Sequence, residues 1–214
     1  MKLLKIVAVS LPLLAFGAAT ASAQDTSMSF FVTSIGSGNG GDLGGLAGAD
    51  AHCATLAEAA GSSGKSWTAY LSTQEDGKRG TSARDRIGSG PWYNAAGVLI
   101  ASNLDELHLS PNITKSTGLD EAGNLVNGRG DKPNRHDLLT GTMMDGTAYF
   151  PNVEEDRTCS NWTSSGEGSA TVGHHDRHGG GNTSWNAAHN SRGCSQEALT
   201  KTGGAGLFMC FAAN

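Results

Sequence analysis

The sequence predicts an α+β fold of short elements joined by long glycine-rich loops. Three observations carry that prediction: one stretch with helical periodicity, several short runs of β-branched and aromatic residues, and 31 glycines clustered between them without a strict period. The clusters mark turns joining short elements, and neither an internal repeat nor a Pro-rich linker divides the chain.

In chain order, "SFFVTS" (Ser29–Ser34) is a β-rich run bounded by glycines and predicts an opening strand. In "LAGADAHCATLAEAAG", Ala49, Cys53, Leu56, Ala57 and Ala60 recur at helical spacing, which predicts a helix burying Cys53 and ending at Gly61. "SWTAYLST" alternates, with Trp67, Ala69 and Leu71 on one side and Thr68, Tyr70 and Ser72 on the other, as in a half-buried strand. From Gln74 to Pro133 the pattern breaks into short pieces and turn signals, so the middle third is read as mostly loop. "GTAYF", "TCSNWTS" and "AGLFMCFAA" are further strand candidates, the last being the most apolar run after the N-terminal segment.

That N-terminal segment has the layout of a secretory signal over residues 1–23. Lys2 and Lys5 precede an apolar run from Ile6 to Phe16, and "ASA" at Ala21–Ala23 is a small-residue cleavage site. The run is short for a bilayer span and no second one of ~20 residues follows, so residues 24–214 are expected to form one exported domain, secreted or periplasmic. Loss of the two lysines moves the formal charge from −5 to about −7. Phosphate backbones repel such a chain, which argues against a nucleic-acid partner.

Cys53, Cys159, Cys194 and Cys210 would then leave the reducing cytosol. No two are close enough for a C-x₂₋₄-C zinc pair, so two disulfides are expected, with three formal connectivities. A helix cysteine near the start and a strand cysteine at the end suggest Cys53–Cys210. Cys159–Cys194 would then close a loop of 35 residues.

Inside that loop lies "GHHDRHG", with His174, His175, Asp176, Arg177 and His178. Imidazole nitrogens and a carboxylate are ordinary zinc ligands, and His174, Asp176 and His178 alternate correctly for one face of an extended segment; His175 points the other way. These three form a candidate set for a divalent metal, zinc ahead of calcium, which His189 or His136 would complete. The bland alternative is a polar loop whose imidazoles bond locally. Trp185 and Asn186 follow it, and an exposed ring beside Asn, Asp and Arg is what a saccharide needs. Trp162, in "NWTSS", is read as core.

Other motifs carry less. Gly36, Gly38 and Gly41 satisfy G-x-G-x-x-G, but no further βαβ units follow and the acidic pair Glu75–Asp76 lies too far along for a dinucleotide site. Arg129-Gly130-Asp131 is a three-residue match of the kind that arises by chance, in a polar segment expected to be an exposed loop. Neither a G-x-S-x-G elbow nor an H-E-x-x-H helix is present, so no catalytic residues are assigned.

The ordered set "GLAGADAHC", "WTAYLS", "NLDELH", "TCSNWTSS" and "GLFMCF" resembles the C-type lectin-like domains, and within them the endostatin-type modules and their secreted bacterial lectin-like relatives. The resemblance runs from about Phe30 to the C-terminus and implies a C-type lectin-like fold with nested Cys53–Cys210 and Cys159–Cys194 bridges. In that superfamily calcium is commonly held by E-P-N and W-N-D tripeptides. Here "KPN" (Lys132–Asn134) and "WNA" (Trp185–Ala187) lack the carboxylates, so that version of the site is not expected. Taken with the signal segment, the cysteines and the polar aromatic loop, the expected function is a non-catalytic binding module for a glycan or cell-surface ligand, carbohydrate first, with Trp185, Asn186, His174, Asp176, Arg177 and His178 read from the loop as its contact residues. A structural or adhesive envelope protein and a metal-dependent envelope enzyme are the alternatives.

Overall fold

The computed structural model describes residues 27–179 and 181–213. The signal-peptide reading of residues 1–23 lies outside them. The fold is mixed α+β with short helices and strands and two disulfides, Cys53–Cys210 and Cys159–Cys194.

The sheet is organised around the last apolar run, which forms β8 (Gly204–Ala212). β1 (Phe30–Val32) pairs with it antiparallel, Phe31 opposite Cys210, and β2 (Trp67–Ala69) pairs with it antiparallel, Ala69 opposite the same Cys210. β5 (Asp137–Leu139) runs parallel to the first half of β8, followed by β6 (Thr171–His174) and β7 (His189–Asn190), both antiparallel to their neighbours. A separate two-stranded sheet joins β3 (Trp92–Tyr93) to β4 (Leu99–Ala101).

Helix α1 (Gly45–Ala59) covers one face of the sheet, burying Ala49, Cys53, Leu56 and Ala57 as the periodicity predicts. Ala60 is exposed, because the helix stops there. Gly61 takes φ +82°, its N–H reaches Glu58 O, and Ser62 N–H reaches Ala57 O, the paired bonds of a Schellman stop. Asp50 clamps α1 to β2: its Oδ1 accepts from Ala69 N–H at 2.8 Å, and both its oxygens take Arg86 Nη2 at 2.8 and 2.7 Å. Two short helices follow, α2 (Leu104–Leu109), capped by the Asn103 side chain, and α3 (Gln196–Thr202), capped by Ser195.

The second sheet face is not solvated. The loop-rich middle third packs Ile87, Trp92, Ile100, Leu107 and Ile113 against Phe30, Tyr70 and Phe211. Tyr70 and Ser72, expected on the wet side of a half-buried strand, are therefore fully buried. Among the described residues, no helix is long and apolar enough to cross a membrane.

Two strand expectations fail. Gly146–Phe150 joins no ladder, and "TCSNWTS" turns instead of extending. Cys159, Ser160, Asn161 and Trp162 all adopt left-handed backbone, with φ of 47°, 53°, 57° and 67°. Each non-glycine residue there costs about 1–2 kcal/mol, so side chains must hold the turn. Asp156 accepts from Thr158 N–H and Ser160 N–H. Asn161 both accepts from Gln74 N–H at 2.7 Å and donates to Gln74 O at 2.9 Å, while Trp162 Nε1 donates to Ser72 O. The β-prone composition of this segment is overridden by these bonds and by the Cys159–Cys194 bridge.

Candidate functional site

Strands β5, β6 and β7 lie side by side, and their register gathers the histidines. Asp137 opens β5 directly opposite His174, the last residue of β6. His189 opens β7 opposite Val172, two residues before His174 and on the same strand face, so the two rings are diagonal neighbours. His136 precedes β5 in an Asx turn, its N–H donating to Asn134 Oδ1, and its ring stacks on His174 with centroids 4.3 Å apart.

Asp137 Oδ1 lies 3.1 Å from His136 Nε2, 3.2 Å from His174 Nε2 and 3.6 Å from His189 Nε2. His174 Nε2 and His189 Nε2 are 2.9 Å apart. The Asp137 side chain is 2 % exposed, yet neither of its oxygens has a hydrogen bond of acceptable geometry. His136 and His174 are buried with it; His189 stands at the rim with its side chain 42 % exposed. The end of α3 approaches this cluster closely at Gly203, whose backbone conformation favours glycine. With φ +134°, a Cβ there would sit 3.1 Å from Asp137 Oδ2 and 3.4 Å from His136 Cδ2.

A second layer orients the rings. His136 Nδ1 faces Asp176 Oδ1 at 3.2 Å, and His189 Nδ1 faces Asn190 O at 3.0 Å. Asp176 is itself fixed by the N–H groups of Arg129 and His178. Burial works to raise its pKa, but the His136 ring and these two backbone donors outweigh burial and hold the carboxyl well below the usual range.

Of the residues in "GHHDRHG", only His174 enters the cluster. Asp176 supports His136 from behind. The His178 side chain is exposed at a shallow hollow shared with Thr114, Lys115 and Leu125, because Arg177 takes φ 55° and turns the chain out of the strand. His175 points away, its Nε2 toward Asn127 O at 3.2 Å, and burial pushes its pKa down. The alternating set His174, Asp176 and His178 therefore does not converge. Asp137 was missed because it is an ordinary strand residue in sequence; the signal available was "RHD" at Arg135–Asp137, an adjacent imidazole and carboxylate.

The expected saccharide surface at Trp185 also moves. Trp185 is 2 % exposed, wedged against Tyr70 (centroids 4.9 Å) and His108 (5.8 Å). Asn186 is 1 % exposed and donates to Tyr70 Oη and to the carbonyls of Met143 and Met144. Both are committed to the core that the middle third builds. Arg177 Nε donates to Thr183 O. Trp162 is core, as read from the sequence.

An open aromatic surface lies elsewhere. A cleft of about 430 Å³ runs beside the left-handed turn, lined by Gln74, Tyr149, Phe150, Asn161 and the carboxylates of Glu75, Asp76, Glu154 and Asp156. Phe150 is 54 % exposed, with the Arg79 guanidinium 3.8 Å from its ring centroid. Between the cleft and the histidines, the Asn190 side chain meets Arg157 Nη1 at 2.7 Å and Glu155 Oε1 at 2.9 Å, and neither of those residues lines the cleft.

No protein-family model matches this chain, and no curated protein matches it either.

Proposed function

We propose that the protein is an exported, non-catalytic binding module on a C-type lectin-like scaffold, and that its ligand is carbohydrate. The observation that carries the reading is the cleft beside Cys159–Trp162: an exposed aromatic ring next to amides and carboxylates, of a size suited to one or two sugar rings. The C–H face of a pyranose packs on Phe150, and the carboxylates of Glu154 and Asp76 take its hydroxyls. Four consecutive left-handed residues line up with this use, since costly backbone conformations gather where a ligand is held. The nested disulfides fit a chain that leaves the cytosol.

A glycan array probed with residues 24–214, with and without chelator, tests the proposal. Binding is expected, and Phe150→Ala should weaken it by roughly tenfold, about 1.4 kcal/mol, the scale of one aromatic contact. No glycan bound under either condition sinks the carbohydrate reading.

A further inference from the structure

We propose that His136, Asp137, His174 and His189 form a structural zinc site, separate from the glycan cleft and independent of it. The first argument is geometric. Zinc bonds of about 2.0–2.1 Å to nitrogen and oxygen, arranged tetrahedrally, put neighbouring donor atoms roughly 3.3 Å apart. Four separations among the Nε2 atoms and Asp137 Oδ1 are 3.1, 3.2, 3.6 and 2.9 Å. The donor atoms of His136, Asp137 and His174 all lie within 4.8 Å of one another; an ion there takes His189 as a fourth ligand once that rim side chain swings inward and the stacked His136 and His174 rings turn to point at it.

The second argument is electrostatic. A carboxylate 2 % exposed and without a single well-directed hydrogen bond carries a large desolvation cost. Three imidazole nitrogens crowd around it, and His174 Nε2 and His189 Nε2 cannot both present a proton to one another. Dication binding resolves both problems: it compensates Asp137 and takes a lone pair from each ring.

The third argument is the outer layer. Ligating histidines characteristically donate their other N–H to a carboxylate or carbonyl; His136 does so to Asp176 and His189 to Asn190 O, while the buried Nδ1 of His174 has no partner. Three imidazoles with one carboxylate suit zinc, and calcium would want more oxygen. With His189 drawn in as the fourth ligand, the protein fills a tetrahedral shell, the arrangement of structural rather than catalytic zinc. Such an ion would tie β5, β6 and β7 together at one point. His189, at the rim, provides the entry side.

The experiment is zinc titration of residues 24–214, with disulfides intact, by calorimetry and by metal analysis after desalting. One zinc per chain is expected. His189→Ala, an exposed position that should fold, and Asp137→Asn should each lower affinity at least a hundredfold. Asp176→Asn should lower it on the order of ten- to a hundredfold, as outer-layer changes do, and His178→Ala should leave it unchanged. Folded wild-type protein that retains no zinc overturns the site. So does zinc retained equally by His189→Ala and Asp137→Asn, or lost in His178→Ala. Glycan binding lost while zinc is retained, or the reverse, separates the failure of one proposal from the failure of the other.

Discussion

Ser160→Gly should stabilise the protein, against the usual direction of a glycine substitution. Ser160 sits in the left-handed turn at φ 53°, ψ 49°, where an L-residue costs about 1–2 kcal/mol and glycine costs nothing. Its backbone N–H to Asp156 and its carbonyl accepting from Thr163 Oγ1 are kept by glycine. Its side chain is exposed, so no core contact is removed. Against this, glycine makes the unfolded chain more flexible, an opposing effect of roughly 0.5–1 kcal/mol. The net expectation is a gain of about 0.5–1 kcal/mol, or a Tm rise of ~1–4 °C for a domain of this size. Urea unfolding at constant m-value with a parallel thermal scan measures it. The neighbouring Asn161→Gly relieves similar strain but deletes both side-chain bonds to Gln74, and should destabilise. A loss of 1 kcal/mol or more in Ser160→Gly would refute the view that the turn is strained and held by its neighbours' side chains.

Trp185→Ala should cost about 3–5 kcal/mol by emptying the space between Tyr70 and His108, whereas Trp185→Phe should cost much less, because the indole N–H has no acceptor to lose; equal losses in urea melts would contradict this. Replacing Cys159 and Cys194 by serine should cost about 3.8 kcal/mol for the 35-residue separation, and Cys53 with Cys210 about 5 kcal/mol for the 157-residue one, in the chain-entropy model; denaturant midpoints in the reverse order would contradict it. His108 is pushed below its ordinary pKa, first by burial, only partly opposed by its bond to Leu104 O. With the folded pKa depressed, this contribution is fully present above about pH 6.5 and is lost as pH falls. His108→Gln should flatten the decline of stability between pH 7 and 5, and an unchanged slope would count against it.

The parts legible in the sequence were those set by local pattern. The buried stripe of α1, its stop at Gly61 and the long last strand follow from periodicity and glycine placement. The position of Cys53 on a helix and Cys210 on a terminal strand pointed to the pairing that forms. What stayed hidden depends on distant chain. Tyr70 and Trp185 look like surface candidates until the middle third folds over them, and no window of sequence contains that event. The left-handed turn was unreadable because Thr, Cys and Trp favour strands, and only Asp156, Gln74 and a disulfide reverse the preference. For the histidines, proximity in sequence misled. His174 and His178 are four residues apart and do not meet, while His136, Asp137 and His189 meet His174 through strand register.

The convergence of those four side chains on one ion is tested most directly by anomalous diffraction at the zinc edge, from crystals grown with zinc. A single strong peak is predicted about 2.0–2.1 Å from Nε2 of His136, His174 and His189 and from a carboxylate oxygen of Asp137. A peak beside His178 instead, or none at the three-strand edge, would contradict it.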